Sequence, residues 1–502
     1  MGNTAVTPAD KAVPAPAPAE REWSPSAVDQ KDIQGLVVSA YPSMLFARTL
    51  LVQFVSKDTA VTTDAKGWIT DITPRITYAT GEVNPSINIA FSAAGLTAIK
   101  IDTEVLTTFS MPFQQGMTVA TRSKFLGDVD GQDPSKWLWT DCATDVRGIH
   151  AQLMLFAKDR STLDRLTATE SASLARFGLS APIDILQQVK LDANGMRREH
   201  FGFADGISQP ILIDGSAIPV KDRKLHEIAV GEVVLGHTNT YGRPAPGPFV
   251  SSASPAASVL QDGMQAQMKD LGLNGTYLVT RQLKQDVAAF WQNMQAASAG
   301  LLDESGEAAT AEWLAEKAIG RTQAGYMLQV DRQEEANPVP PGQIPPNEMA
   351  FFDSDPDGYG CPVTSHVRRA NPRDGLSPDK DDKALMVQAT NRHRIIRRGR
   401  IYGEPIAKPM IDDGVDRGLV FQCLNSEIDR QFEFVQHTWL LNRMFGGSYE
   451  QTDPLIGPKC PFSIPSRPVR QQPVLETYIT AQGGGYFFVP SRSALQYFGS
   501  MK

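Results

Sequence analysis

The sequence predicts an α+β protein, and three observations predict it. Hydrophobic residues make up 41% of 502 positions, enough to fill at least one large core and to exclude wholesale disorder. Runs rich in β-branched and apolar residues are interleaved with helical stretches along most of the chain. The two halves repeat one strand–helix plan in element order, without clear identity between them.

Each element can be justified in turn. Residues 1–25 alternate Ala and Pro, which neither nucleate a helix nor supply a buried face, so a flexible extension is expected there. This stretch lacks the basic and apolar regions of a secretory signal. From Asp32 the pattern turns globular: DIQGLVVSAYP, RTLLVQFVSK, INIAFSA and GIHAQLMLFAKD read as strands. TLDRLTATESASLARFG reads as a helix, with Leu163, Leu166, Leu174 and Phe177 at roughly helical spacing. The Pro/Ser/Ala/Gly-rich run 240–258 reads as a loop or interdomain crossing, which divides the chain into modules 26–239 and 240–502. In the second module TYLVTRQL alternates as a strand, and Gln285 to Ala297 as a helix. Segments 331–345 and 373–391 read as polar loops. GLVFQCLN is then a strand and SEIDRQFEFVQHTWLLNRMF a helix, with Ile428, Phe432, Val435 and Trp439 on one face.

Charge and cysteine content narrow the function. Lys+Arg total 48 against 56 Asp+Glu, a net charge of -8, so no chain-wide basic field exists to attract nucleic acid or anionic lipid. No run approaches the length of a membrane span; the most apolar stretch, Leu36 to Val55, is broken by Pro42 and Arg48. Cys142, Cys361, Cys423 and Cys460 are widely separated and form no CxxC or Cys/His ligand spacing, which argues against structural zinc. One or two disulfides stay open, and with them the redox compartment.

Three segments combine unusual residue choices. In HFGFADGISQP, Asp205 stands near Gly202 and Gly206 among Phe201 and Phe203, where the backbone can turn tightly against a flat ligand and a carboxylate can move protons. A plain turn capped by Asp205 is the structural alternative. In CPVTSHVRRANPRD, His366 is followed by Arg368, Arg369 and Arg373; imidazole ligates transition metals and guanidinium pairs with carboxylates, two needs that coincide in haem. A basic surface loop is the alternative there. NRHRIIRRGRIYG carries five arginines in nine positions, a reversal of sign that calls for an anionic partner or several ion pairs unless it is a solvated face. No GxSxG elbow, HExxH motif or GxxxxGK[ST] loop is present.

Together these segments resemble the dye-decolorising peroxidases, a haem family. GFADGISQP fits the family's GxxDG signature, and NGTYLVTRQLKQDVAAFW, GCPVTSHVRRANPRD, RIIRRGRIYG and GLVFQCLNSEIDRQFEFVQ look like its segments in the right order over roughly residues 32 to 495. Length and inserted loops look most like the fungal branch. The resemblance implies two ferredoxin-like modules with haem b held mainly by the second. It implies a peroxidase that reduces hydrogen peroxide and, through a ferryl intermediate, oxidises dyes, phenols or other aromatic reductants, with Mn²⁺ as a further candidate. In that reading His366 is the proximal iron ligand, Asp205 the distal acid–base group and Arg397 the distal cation, preferred over Arg394 and Arg398. Asp453, with Glu450 as the alternative, would accept a hydrogen bond from His366, and Arg368 would pair with a propionate. Leu419 and Phe421 would line the distal pocket. Tyr402, in the alternative a packed structural tyrosine, would relay electrons from bulky dyes at the surface. A haem-binding protein of the same fold that removes iron, deferrochelatase-like, is the alternative function, and a haem carrier or a structural protein stand behind it. The family implies an extracellular setting, with the cytoplasm as the alternative, and leaves the oligomeric state open.

Overall fold

The computed structural model describes residues 29–54, 63–81, 83–139, 148–212, 226–330, 340 and 345–501. The extension expected at 1–25, Cys142 and most of the loop expected at 331–345 lie outside the described residues. Nine strands join one antiparallel sheet: β1 Phe46–Gln53, β2 Ser86–Phe91, β3 Ala151–Ala157, β4 Ser180–Gln188, β5 Thr276–Gln285, β6 Ile396–Arg397, β7 Arg400–Tyr402, β8 Gly418–Asn425 and β9 Ile479–Val489. Their order is β5-β9-β2-β3-β1-β4-β7-β8-β6, and β8 also pairs back onto β5, so the sheet closes on itself. Closure leaves few open edges.

One seam of this barrel is thin. Strands β9 and β2 share the single pair Phe488 with Phe91. Gln34 spans the gap: its Nε2 donates to the carbonyls of Ile89 (2.9 Å) and Pro490 (2.8 Å), and its Oε1 accepts from Ile89 N–H at 2.9 Å. That explains why DIQGLVVSAYP, expected as a strand, instead forms a short helix at Gly35–Val38: a side chain supplies the ladder bonds that the backbone would have made.

The alternation of β5 sorts its two faces. Thr280 and Gln282 point into the barrel, where Thr280 Oγ1 donates to Gln152 Oε1 (2.9 Å) and Gln282 Oε1 accepts from Trp139 Nε1 (2.9 Å). Arg281, Leu283 and Gln285 point outward. Helices cover the outside: α1 Ala65–Ile72, α2 Arg160–Arg176, α3 Val287–Ser298, α4 Ala311–Ile319, α5 His366–Ala370, α6 Lys383–Asn391 and α7 Arg492–Ser500. Asp159, Asp286, Thr310 and Ser491 cap the amino ends of α2, α3, α4 and α7 through side-chain oxygens. Trp68, Leu163, Leu174 and Phe498 of these helices pack with outward-facing Leu50, Ile89 and Leu153 in one core.

Two other local expectations differ. Within 373–391, read as polar loop, Lys383–Asn391 is helical. The stretch expected as one α-helix after β8 is instead π-wound over Asp429–Glu433 and Val435–Leu440, with i to i−5 bonds from Glu433 N–H to Ile428 O (2.9 Å) and Leu441 N–H to Gln436 O (3.0 Å). Among the described residues no helix is long and apolar enough to cross a membrane. Cys361, Cys423 and Cys460 are free thiols.

Candidate active site

A cavity of about 300 Å³ lies against the outer face of β5, β8 and β9, closed from above by the π-wound segment and by α5. Register decides its floor. Arg281 is paired with Phe421 and Leu283 with Leu419, and directly paired residues point to the same side, so all four line the cavity. Arg397 on β6 is paired with Cys423, two residues beyond Phe421, and shares that face.

Members of two acid–base pairs line the cavity. In one pair Arg397 Nη1 donates to Asp205 Oδ1 at 3.0 Å, and Nη2 to the Ser208 carbonyl at 3.4 Å. Gly206 N–H also donates to Asp205 Oδ1, at 2.6 Å. Gly202 and Gly206 take φ of +98° and +81°, values that side-chain-bearing residues adopt only under strain, so the glycines permit the turn that aims this carboxylate. Burial pushes the Asp205 carboxyl up, but the Arg397 charge, the Gly206 N–H and Arg197 together hold it below its ordinary value of 3.8.

In the other pair His366 opens α5 and meets Asp453 Oδ2 through Nδ1 at 2.8 Å. Asp453 is fully buried, and its Oδ1 accepts from Leu455 N–H (2.9 Å) and Ile456 N–H (3.1 Å). Burial opposes charge on both partners, yet their attraction wins: the Asp453 carboxyl sits below its usual value and the imidazole above its own. With Nδ1 engaged, Nε2 is the ring atom left for a metal. Glu450 is elsewhere, paired with Arg443 at 2.6 Å on the surface.

The structure brings Asp205, Arg397, His366, Leu419 and Phe421 to one cavity, with Asp453 behind His366. It does not bring Arg368 there. That guanidinium is buried, donates to the carbonyls of Asp355 (2.8 Å) and Cys361 (2.9 Å), and lies over the Phe351 ring. Nor does it bring Tyr402, which pairs with Gly418, one residue out of phase with Leu419, and therefore points into the barrel. Its hydroxyl donates to Gln482 Oε1 at 2.8 Å.

Five residues to which sequence reasoning assigned no place in the site also bear on the cavity. Arg369 donates to the carbonyls of Trp439 (2.8 Å), Asn442 (3.0 Å) and Gln451 (2.6 Å), tying α5 to the segment that carries Asp453. Glu199 and Arg281 line the cavity, and a charge set among aromatic or β-branched neighbours was the available signal. Arg394 also lines it, with Nη2 buried and lacking a hydrogen-bond partner. Arg373 beside it has Nε in the same condition, and Arg373, Arg394 and Arg321 help burial to push His226 down to about 4. Such a cluster of buried cations fits an anionic group at that end of the cavity.

Comparisons with known proteins find relatives among the dye-decolorizing peroxidases. The dye-decolorizing peroxidase msp1 of Mycetinis scorodonius is 26% identical over 435 residues, covering 82% of this chain and 76% of that protein. The dye-decolorizing peroxidase AauDyP1 of Auricularia auricula-judae is 24% identical over 509 residues, covering 96% and 89%. In sequence and in fold the chain is similar to the dye-decolorising peroxidases. This peroxidase is accordingly an oxidoreductase that acts on hydrogen peroxide. A crystal structure of a fungal DyP-type peroxidase from Auricularia auricula-judae superposes with a TM-score of 0.71 at 20% identity, covering 94% of this chain and 99% of that one, which shows the shared α+β fold of ferredoxin-like modules. No family model matches the sequence.

Proposed function

We propose that this peroxidase binds haem b in the cavity and reduces hydrogen peroxide there at the expense of dyes, phenols and other aromatic reductants. The observation that carries the reading is the lining of a single cavity by a carboxylate with its guanidinium and by an imidazole backed by a buried carboxylate. The donor set suits the cofactor. His366 Nε2 would ligate the haem iron, and Arg394, whose buried Nη2 lacks a partner, with Arg373 and its unpaired Nε behind it, would pair with the propionates. When bound, haem supplies the redox chemistry of peroxide cleavage.

The chain's own residues supply the rest. Asp205, ionised, takes a proton from one oxygen of peroxide and returns it to the other, so that water leaves. Arg397 faces the same oxygens and offsets the negative charge that develops on the departing one. Asp453 holds the His366 ring by its Nδ1–H and raises its basicity. Leu419 and Phe421 narrow the distal wall to molecules the size of peroxide. We propose further that 26–239 and 240–502 are the two modules, since β1 to β4 come from the first and β5 to β9 from the second.

An absorption spectrum tests the proposal. The purified protein, reconstituted with hemin, should show a Soret band that shifts on adding one equivalent of peroxide; a colourless protein would refute it. Product analysis separates peroxidase from iron removal, which would yield free porphyrin.

A further inference from the structure

We propose that Glu199 is a positioning residue for Asp205: its carboxylate holds segment 200–206 in the shape that aims Asp205 at Arg397. The inference rests on the proposed role of Asp205 in moving the peroxide proton.

Glu199 is a half-buried carboxylate in the cavity wall that the mechanism above does not use. Its Oε2 accepts from Phe201 N–H at 2.9 Å and from Gln285 Nε2 at 2.7 Å, and its Oε1 accepts from Phe203 N–H at 2.8 Å. The backbone repeats the grip: Gly202 N–H donates to Glu199 O (3.0 Å), and Glu199 N–H to Phe203 O (3.1 Å). The two rings are stacked on α3, Phe201 on Phe290 at 4.3 Å and Phe203 near Trp291 at 6.5 Å. Between these anchored rings the chain must turn sharply at Gly202, which leaves two N–H groups pointing back at one another's side with no strand to receive them. A single carboxylate receives both. Two residues later Asp205 N–H donates to Arg197 O at 3.0 Å, and its carboxylate reaches Arg397.

The charges around Glu199 do not stabilise its ionised form strongly. Asp205 faces it from its own segment; from β5 come neutral Gln285 and, further along, Arg281, which is already paired with Asp128. His200 turns away to the Tyr402 carbonyl, and Arg198 to Asp192. Burial therefore pushes the Glu199 carboxyl up to about 7, against its three hydrogen bonds. A protonated carboxyl turns one of its acceptor positions into a donor, which a neighbouring N–H cannot use. The grip on Phe201 and Phe203 is complete in the ionised form and loosened in the protonated one.

The test compares the haem-loaded full chain with Glu199→Gln, an isostere that cannot accept from both N–H groups at once. Three quantities are read: the rate constant with peroxide by stopped flow from about pH 4 to pH 9, the thermal unfolding midpoint, and the infrared carboxylic-acid band. The wild type is expected to show a band that titrates near pH 7 and an inflection in rate at the same pH. The variant is expected to keep its haem and its unfolding midpoint at acid pH, lose the band and the inflection, and react at least about tenfold more slowly above about pH 7, where the wild-type carboxylate is ionised. Gln285→Leu, which removes one donor to the ionised oxygen but leaves the backbone grip, should move both band and inflection to higher pH. A wild type that does not react with peroxide would bring down the peroxidase reading, and this inference with it. A reactive wild type whose rate and pH profile survive Glu199→Gln would overturn the positioning role alone, as would a slow variant that has lost its haem in proportion.

Discussion

Asp205 must be ionised to accept a proton, so its surroundings decide where activity fails in acid. Burial alone would raise its carboxyl; Arg397, first among the opposing influences, brings it below 3.8. A depressed carboxyl stays charged above that value and is neutralised as the pH falls through it, which places the acid limb set by Asp205 itself below about pH 4. Arg397→Leu should move that limb to higher pH as well as lowering the plateau. Stopped-flow rates between about pH 3 and pH 7 check it, and a limb that stays in place contradicts the coupling. Asp205→Asn should cost about 10²- to 10⁴-fold in the same rate. In the other pair, Asp453→Asn keeps a hydrogen-bonding shape but removes the charge, and should weaken haem affinity or activity by about 10- to 100-fold in a hemin titration. These residues were legible in the sequence because glycines around Asp205 and a histidine before an arginine pair imply chemistry by their types. Arg368 was not. A guanidinium clasping buried carbonyls and one waiting for a ligand look the same in a sequence, since the difference lies in where its donors end up.

At the scale of elements, arginines do much of the fastening. The five-arginine run meets few carboxylates: Arg398 donates to the carbonyls of Leu36 (2.8 Å) and Val37 (2.9 Å), and Arg400 to those of Ala40 (3.1 Å) and Tyr41 (3.2 Å). They bind the irregular segment before β1 to strands β6 and β7, which is why a run that reads as a basic face is largely buried. Arg369 does the same for the proximal side. It holds the end of the π-wound segment and the approach to Asp453, and it is fully buried. Arg369→Met would strand several carbonyls, at a cost of roughly 1–3 kcal/mol for each one left without a partner. Denaturant unfolding should report that loss, and the hemin titration should weaken as Asp453 drifts from His366; a variant as stable as the wild type would contradict the clamp. The π winding itself escaped the sequence reading because Ile428, Phe432, Val435 and Trp439 suit an α-helical stripe. Extra residues per turn instead let Phe432, Val435, Gln436 and Leu440 all reach the cavity.

The whole molecule poses a question that none of its parts poses alone. Closing the sheet puts a cavity on the barrel's outer face and Tyr402 on the inner one, 5% exposed, so neither peroxide nor a bulky dye touches that phenol. Alternation along the β7–β8 pair decides this: Ile401 shares the face of Leu419, and Tyr402 does not. A tyrosine that passes on an electron must also part with its proton. Burial and the neighbouring Asp416 hold the Tyr402 phenol well above its ordinary value, so it is a neutral donor at rest. Its hydroxyl donates to Gln482, whose Nε2 in turn donates to Asp416 Oδ1 at 3.2 Å near the surface. That chain offers the proton a carboxylate on the far side from the cavity, which is the direction a surface reductant would need. If Tyr402 serves as the relay, Tyr402→Phe should leave peroxide consumption with a small phenol intact and slow the oxidation of a large anthraquinone dye, and Asp416→Asn should slow the dye in the same way. Steady-state rates with both reductants decide between relay and packing. Equal losses on the two substrates would mean that Tyr402 is only part of the barrel's filling, and an unchanged dye rate would send the electron by another route.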